Sequence, residues 1–201
     1  MASVGKIEDC MFKADSLVPK PVCDYFINVM ENNLNLSIKE NSYKYDTEKN
    51  EYDNYSSLDI SALSEDFKSF VEPRDIARKF LGIMITNYVL HMQRTICPSF
   101  SSKFINSTHN IRILKYEEGQ YIRDHTDVDA NIRASCTLNL NEDYEGGEFR
   151  FFDGKIKETL KTGDGLFFPA EPIWIHGTEP VTKGIRYSIN CFLYSADAVQ
   201  S

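Results

Sequence analysis

GIRYSINCFLY, residues 184–194, alternates without a break: Ile185, Tyr187, Ile189, Cys191 and Leu193 fall on one face, Arg186, Ser188, Asn190 and Phe192 on the other. A period of two is that of a strand with one face on a core. Working back along the chain, six more short runs of this kind follow residue 110: NIRILKY (110–116), ASCTLNL (134–140), GEFRFF (147–152), KIKETL (155–160), GLFFPA (165–170) and PIWIHG (172–177). Turn residues separate them, at Tyr144-Glu145-Gly146-Gly147, Asp153-Gly154, Gly163-Asp164-Gly165 and Lys183-Gly184. Asp-Gly between FRFF and KIKETL is a hairpin signal. Seven short strands at this spacing imply an antiparallel sandwich or jelly roll, not a parallel sheet.

The first half of the chain has a different texture. PKPVCDYFINVMENN places Cys23, Phe26, Ile27 and Met30 at helical spacing, with Pro19 and Pro21 suited to a helix start. A longer helix is expected from Pro73 to about Thr95, its apolar stripe formed by Ile76, Phe80, Ile83, Met84, Tyr88 and Met92. Residues 39–57 are polar and tyrosine-rich and read as a surface loop or weak edge hairpin. No repeat or linker divides the chain. The expectation is one α+β domain over 1–201, a helical part at about 17–97 buttressing a β core at about 110–195.

Composition narrows the function. The 201 residues are 42% hydrophobic, and 22 basic against 30 acidic side chains give a net charge of −8. That sign disfavours a phosphate-tracking surface, so nucleic acid is not the expected partner. The five cysteines, at 10, 23, 97, 136 and 191, are odd in number and lack C-x-x-C spacing. They read as free thiols of a reducing compartment. The N-terminus lacks an apolar signal core and no run approaches the roughly 18 apolar residues of a membrane span. A soluble cytoplasmic protein is the expectation; oligomeric state is not legible.

The chemistry-bearing stretch is YEEGQYIRDHTDVD, residues 116–129, with His125-x-Asp127. Two residues apart in a strand, both side chains can aim to one face. A third ligand must come from elsewhere. Of the other histidines, His91 lies in the long helix and His109 in a Ser/Thr/Asn loop, whereas His176 follows the apolar run Ile173-Trp174-Ile175 and precedes Gly177, which permits close backbone approach. Two imidazoles and one carboxylate cover one face of an octahedral ion and leave the rest open, a set suited to Fe(II). Arg186, on the polar face of GIRYSINCFLY with Ser188, can clamp a carboxylate bidentately.

In this order the motifs resemble those of the Fe(II)- and 2-oxoglutarate-dependent dioxygenases, prolyl 4-hydroxylase-like branch. They run Tyr116-x-x-Gly119-Gln120-Tyr121, His125-x-Asp127, Gly146-Gly147-Glu148-Phe149, Lys161-x-Gly163-Asp164, Leu166-Phe167-Phe168, and His176-Gly177-x-x-Pro180-Val181-x-x-Gly184-x-Arg186-Tyr187. The resemblance covers roughly residues 110–193. It implies a double-stranded β-helix, the distorted, cupin-like jelly roll. It implies Fe(II) on His125, Asp127 and His176, and 2-oxoglutarate with its distal carboxylate on Arg186. Tyr116 and Ser188 would add contacts to that carboxylate, Asn139 would border the cosubstrate, and Asn190 would approach iron-bound water or substrate. O2 would be co-substrate and ascorbate a supporting reductant. Three features depart from the pattern. Collagen-type members often have Lys at the position of Arg186, Tyr121 falls one residue early, and Phe149 replaces a frequent Thr. The implied activity is hydroxylation of a protein or peptide side chain, proline first. The alternatives are oxidation of a free amino acid, demethylation of alkylated nucleic acid, or a non-catalytic cupin-like binding module.

Overall fold

A computed structural model describes residues 5–41, 54–129 and 131–195. The middle of the segment expected to be a loop or hairpin, residues 42–53, lies outside the described residues. The order of elements is β1 (Phe12–Ala14), α1 (Lys20–Asn32), β2 (Ile38–Asn41), β3 (Asn54–Asp59), α2 (Ile60–Asp66), α3 (Val71–Thr95), β4 (Ser107–Tyr116), β5 (Ile132–Asn139), β6 (Glu145–Gly146), β7 (Phe149–Phe151), β8 (Ile156–Glu158), β9 (Gly165–Pro169), β10 (His176–Thr178), β11 (Val181–Lys183) and β12 (Arg186–Tyr194). Seven strands form one antiparallel sheet in the order β1-β9-β5-β12-β4-β3-β2. Two smaller sheets, β10-β7-β8 and β11-β6, close over one face of it. The result is a distorted jelly roll, one of the two architectures the alternation allowed and the one the resemblance implied.

The helices cover the other face. α1 starts where its prolines allow, with Pro19 as cap and Pro21 in the first turn, and buries Cys23, Phe26 and Met30. α3 buries Ala77, Phe80, Leu81, Met84, Tyr88, Val89 and Met92. Both pack on Ile111, Ile113, Leu138, Phe167, Ile189 and Leu193 of the large sheet, and Tyr88 stacks on Phe167 with centroids 3.9 Å apart. Tyr187, Cys191 and Leu193 of GIRYSINCFLY sit in this helix-side core as their period required. The polar face of the same strand therefore turns inward, between the sheets.

Several expectations are corrected. Ile83 is 40% exposed and lies off the buried stripe, while Ala77 and Leu81 lie on it. Of the two readings of residues 39–57, the edge pairing holds over the described residues and the surface loop does not, for β2 pairs antiparallel with β3 at the edge of the large sheet. β3 pairs with β4 inside the large sheet, and Tyr55, Ser56, Ser57 and Leu58 are buried. Their polarity concealed this because serines can bury when the strand ladder satisfies the backbone. His109 lies in β4, not in a loop. Ile173-Trp174-Ile175 is not a strand. The Trp174 amide donates back to Glu171, Trp174 alone turns inward, and β10 begins only at His176. α2 was not expected. Asp59 caps it by accepting from the Ser61 and Ala62 amides. All five cysteines are free, with Cys23, Cys136 and Cys191 buried.

Leu81→Ala is expected to cost about 2–5 kcal/mol in urea unfolding, and Ile83→Ala less than about 0.5 kcal/mol. Equal losses at the two positions would place α3 in the wrong rotation.

Candidate metal centre and anion pocket

The segment Ile122–His125 runs alongside β10 and is joined to it by backbone. His125 N–H donates to His176 O and His176 N–H to His125 O, both at 2.9 Å, while Thr178 N–H donates to Ile122 O and Thr178 Oγ1 accepts from Ile122 N–H. Gly177 makes this approach possible. A Cβ there would stand 2.7 Å from the Ile122 carbonyl oxygen and 3.0 Å from the Arg123 carbonyl carbon. The two histidines are thus brought together from distant parts of the chain, ring centroids 4.4 Å apart. His125 forms only an isolated bridge and Asp127 lies beyond it outside any strand, so neither stands in a regular strand as the spacing argument assumed. Both side chains nonetheless border the same cavity.

Asp127 Oδ1 lies 3.2 Å from His125 Nε2, and Asp127 Oδ2 lies 3.3 Å from His176 Nε2. One donor atom from each of the three side chains lies within 4.8 Å of the others, a spacing that a single first-row cation can bridge. Among the described residues this is the one cluster of His, Cys, Asp and Glu with such spacing. The imidazoles are oriented by backbone carbonyls: His125 Nδ1 meets Arg123 O and His176 Nδ1 meets Trp174 O, each at 2.9 Å. A carbonyl can only accept, so each Nδ1 carries the proton and each Nε2 offers its lone pair inward. Ser135 Oγ–H of β5 donates to Asp127 Oδ2 and fixes the carboxylate. Burial would raise the Asp127 carboxyl, but hydrogen bonds and charge from the two imidazoles outweigh it and hold it far below the usual carboxylate range. Burial disfavours charged His125, and Asp127 more than offsets this, so its imidazole is raised. The site favours an anionic carboxylate beside positive charge, which is what a divalent cation supplies.

All three side chains border one cavity of about 270 Å³ between the sheets. Its apolar walls include Leu114, Ile122, Phe149 and Phe168, and Phe168 packs edge-on against His176 at 4.6 Å. Two strand positions beyond Leu114 on the same face, Tyr116 pairs with Arg186. Neither lines the cavity itself, nor does Ser188. Arg186 is 2% exposed, and its guanidinium lies between the rings of Tyr116 and Phe149, 5.1 Å from each centroid. Its Nε and Nη2 and the Tyr116 hydroxyl have no hydrogen-bond partner, and no carboxylate among the described residues pairs with it. A buried cation without a counter-ion costs several kcal/mol. Such an arrangement fits an anion as its missing partner.

The remaining candidates divide. Asn190 reaches the cavity, where its Oδ1 accepts from Thr137 and Ser188 hydroxyls. Asn139 does not. Its amide donates to Asn141 O and Leu160 O and its oxygen accepts from Tyr144, so it ties loops together. Phe168 faces the cavity, whereas Trp174 and Leu138 pack into the apolar cores. Ser135, Thr178 and Arg112 were missed. Arg112, Leu114 and Tyr116 alternate on one face of NIRILKY, the signal that could have placed Arg112 here.

Residues 111–194 match the family model described as the 2OG-Fe(II) oxygenase superfamily. A PKHD-type hydroxylase of Synechococcus sp. (strain JA-2-3B'a(2-13)) is 34% identical over 92 residues, 40% of each chain. One of Janthinobacterium sp. (strain Marseille) is 37% identical over 90 residues, 37% of this chain and 38% of that one. The match spans about two-fifths of these relatives' length. Among solved structures, a prolyl hydroxylase from Trichoplax adhaerens, in complex with a hypoxia inducible factor peptide, superimposes with a TM-score of 0.70 at 12% identity, covering 96% of this chain and 88% of that one. A Pseudomonas putida prolyl-4-hydroxylase gives 0.60 at 15% identity, covering 92% of each. At these identities the likeness is one of fold, and it extends to the helices outside the matched domain. No helix of the described residues is long and apolar enough to cross a membrane.

Ser135→Ala is expected to weaken Mn(II) binding about 10–100-fold by freeing the Asp127 carboxylate, and Asp127→Ala to abolish it. Electron paramagnetic resonance titration of free Mn(II) reads both. Unchanged affinity in Asp127→Ala would remove it from the ligand set.

Proposed function

We propose that this protein is an Fe(II)- and 2-oxoglutarate-dependent dioxygenase that hydroxylates a side chain of a protein or peptide, a prolyl residue first. The observation that carries this is the pairing of two features: a two-histidine, one-carboxylate cluster open to a cavity, and a buried arginine with no counter-ion on the same sheet face. Either feature alone has ordinary explanations. Together they match the two ends of a 2-keto dicarboxylate, which needs a metal at its keto-acid end and a cation at the other. The PKHD-type and prolyl hydroxylase relatives support the choice of substrate class.

The residues present divide the work. His125, Asp127 and His176 would hold Fe(II), their Nε2 and carboxylate donors leaving the cavity side open. Bound Fe(II), with 2-oxoglutarate and O2, supplies the oxidant for a C–H bond, and succinate and carbon dioxide leave. Arg186, stacked between Tyr116 and Phe149, would receive the distal carboxylate, with the Tyr116 hydroxyl as a second donor. Burial pushes the Tyr116 phenol up, keeping it protonated and able to donate. Phe149, Phe168 and Leu114 keep bulk water from the reacting end. Asp127 also separates this site from halogenation chemistry, which needs the carboxylate position free for a halide.

With Fe(II), 2-oxoglutarate and ascorbate, the protein should release succinate, more so with a suitable peptide. Arg186→Ala should raise the 2-oxoglutarate KM at least tenfold, because a charge-assisted partner is lost. Succinate release that is absent under all these conditions, alongside metal-independent ligand binding, would favour a binding module instead.

A further inference from the structure

A second charged group opens on the same cavity. It lies on β4 at Arg112, about 13 Å along the strand from Tyr116. Arg112 Nη1 donates to both carboxylate oxygens of Glu40 on β2, at 3.1 and 3.0 Å, and the Tyr55 hydroxyl of β3 donates to Glu40 Oε2 at 3.1 Å. The Phe192 ring covers the guanidinium face at 5.2 Å. These four side chains line the cavity together with His125, Asp127 and His176. Arg112 Nε is buried and has no hydrogen-bond partner. The 2-oxoglutarate reading leaves this group unused, since its cation is Arg186.

The electrostatics of the group select its ligand. Glu40 already balances the charge of Arg112, so the pair is neutral. A second carboxylate at the unused Nε edge would stand close to Glu40 and be repelled. A neutral carbonyl would complete the N–H without that repulsion. A peptide offers such a carbonyl at every residue, whereas a free amino acid offers a carboxylate in its place. We infer that Arg112, held by Glu40 and Tyr55, is a specificity-determining residue that donates to a main-chain carbonyl of a peptide lying across the cavity. This rests on the oxygenase reading of the site and assigns the residue that favours a peptide over a free amino acid. Phe192, stacked on Arg112, fixes the guanidinium plane and with it the direction of the unused edge.

Calorimetry on the full chain with Mn(II) and N-oxalylglycine, a non-reacting analogue of 2-oxoglutarate, tests this. The probes are capped pentapeptides, acetyl-Ala-Ala-Z-Ala-Ala-amide with each of the twenty residues at Z, and the corresponding N-acetyl amino acids with a free carboxylate. At least one capped peptide should bind. Arg112→Gln should weaken it tenfold or more, while the affinities for Mn(II) and N-oxalylglycine stay at wild-type values. Glu40→Gln, which removes the repelling charge, should strengthen binding of the N-acetyl amino acids about tenfold. Equal peptide affinity in wild type and Arg112→Gln would overturn the assignment. So would binding of the free carboxylates in preference to capped peptides by the wild type, or binding of no capped peptide at all. Failure of Mn(II) and N-oxalylglycine to bind would strike the oxygenase reading itself, a separate result from any of these.

Discussion

Two backbone hydrogen bonds, exchanged between His125 and His176 at 2.9 Å, join the segment after β4 to β10 at the point where chemistry is possible. Everything the site does depends on that exchange. It sets the two imidazoles 4.4 Å apart, and the carbonyls of Arg123 and Trp174 then orient each ring. The exchange depends in turn on Gly177, since a side chain there would collide with the Ile122 carbonyl. A backbone constraint of this kind outlasts side-chain motion, because rotating a ring cannot undo it. Asp127 is then fixed from the opposite sheet through Ser135. The cluster is preorganised by groups from both layers of the jelly roll.

The large sheet supplies a second requirement. Its helix face is an ordinary apolar core, packed by α1 and α3. Its other face carries Arg112, Tyr116, Arg186, Ser188, Asn190, Ser135 and Thr137, a polar surface enclosed between two sheets. Such a surface is costly unless its groups are satisfied. Most are: Thr137 and Ser188 donate to Asn190, and Arg112 pairs with Glu40. On this face Arg186 Nε and Nη2, the Tyr116 hydroxyl and Arg112 Nε are the exceptions. Arg112 keeps Glu40 as its counter-ion, whereas Arg186 has none among the described residues, so Arg186 is where the charge on this face is left unbalanced.

What was legible in the sequence was whatever depends on period and local spacing. GIRYSINCFLY announced both its core face and its inward polar face, and His125-x-Asp127 with His176-Gly177 announced the cluster. Depth in the fold was not legible. Ser56 and Ser57 look like surface residues and are buried in β3 because β2 and β4 flank it. Ile83 fits the helical stripe of α3 by spacing, yet it faces outward because the sheet beneath follows Ala77, Leu81 and Met84. Asn139 shares a strand face with Thr137, but the loops at 141 and 160–161 claim its amide first. Nothing local in the sequence showed that Arg186 lacks a counter-ion, for that is a property of every neighbour at once.

A crystal structure grown with Mn(II) and N-oxalylglycine measures the central claim directly. One ion is expected on His125 Nε2, Asp127 and His176 Nε2, with the distal carboxylate of the analogue on Arg186 and the Tyr116 hydroxyl. An ion held by other residues, or an analogue whose far carboxylate lies away from Arg186, would contradict it.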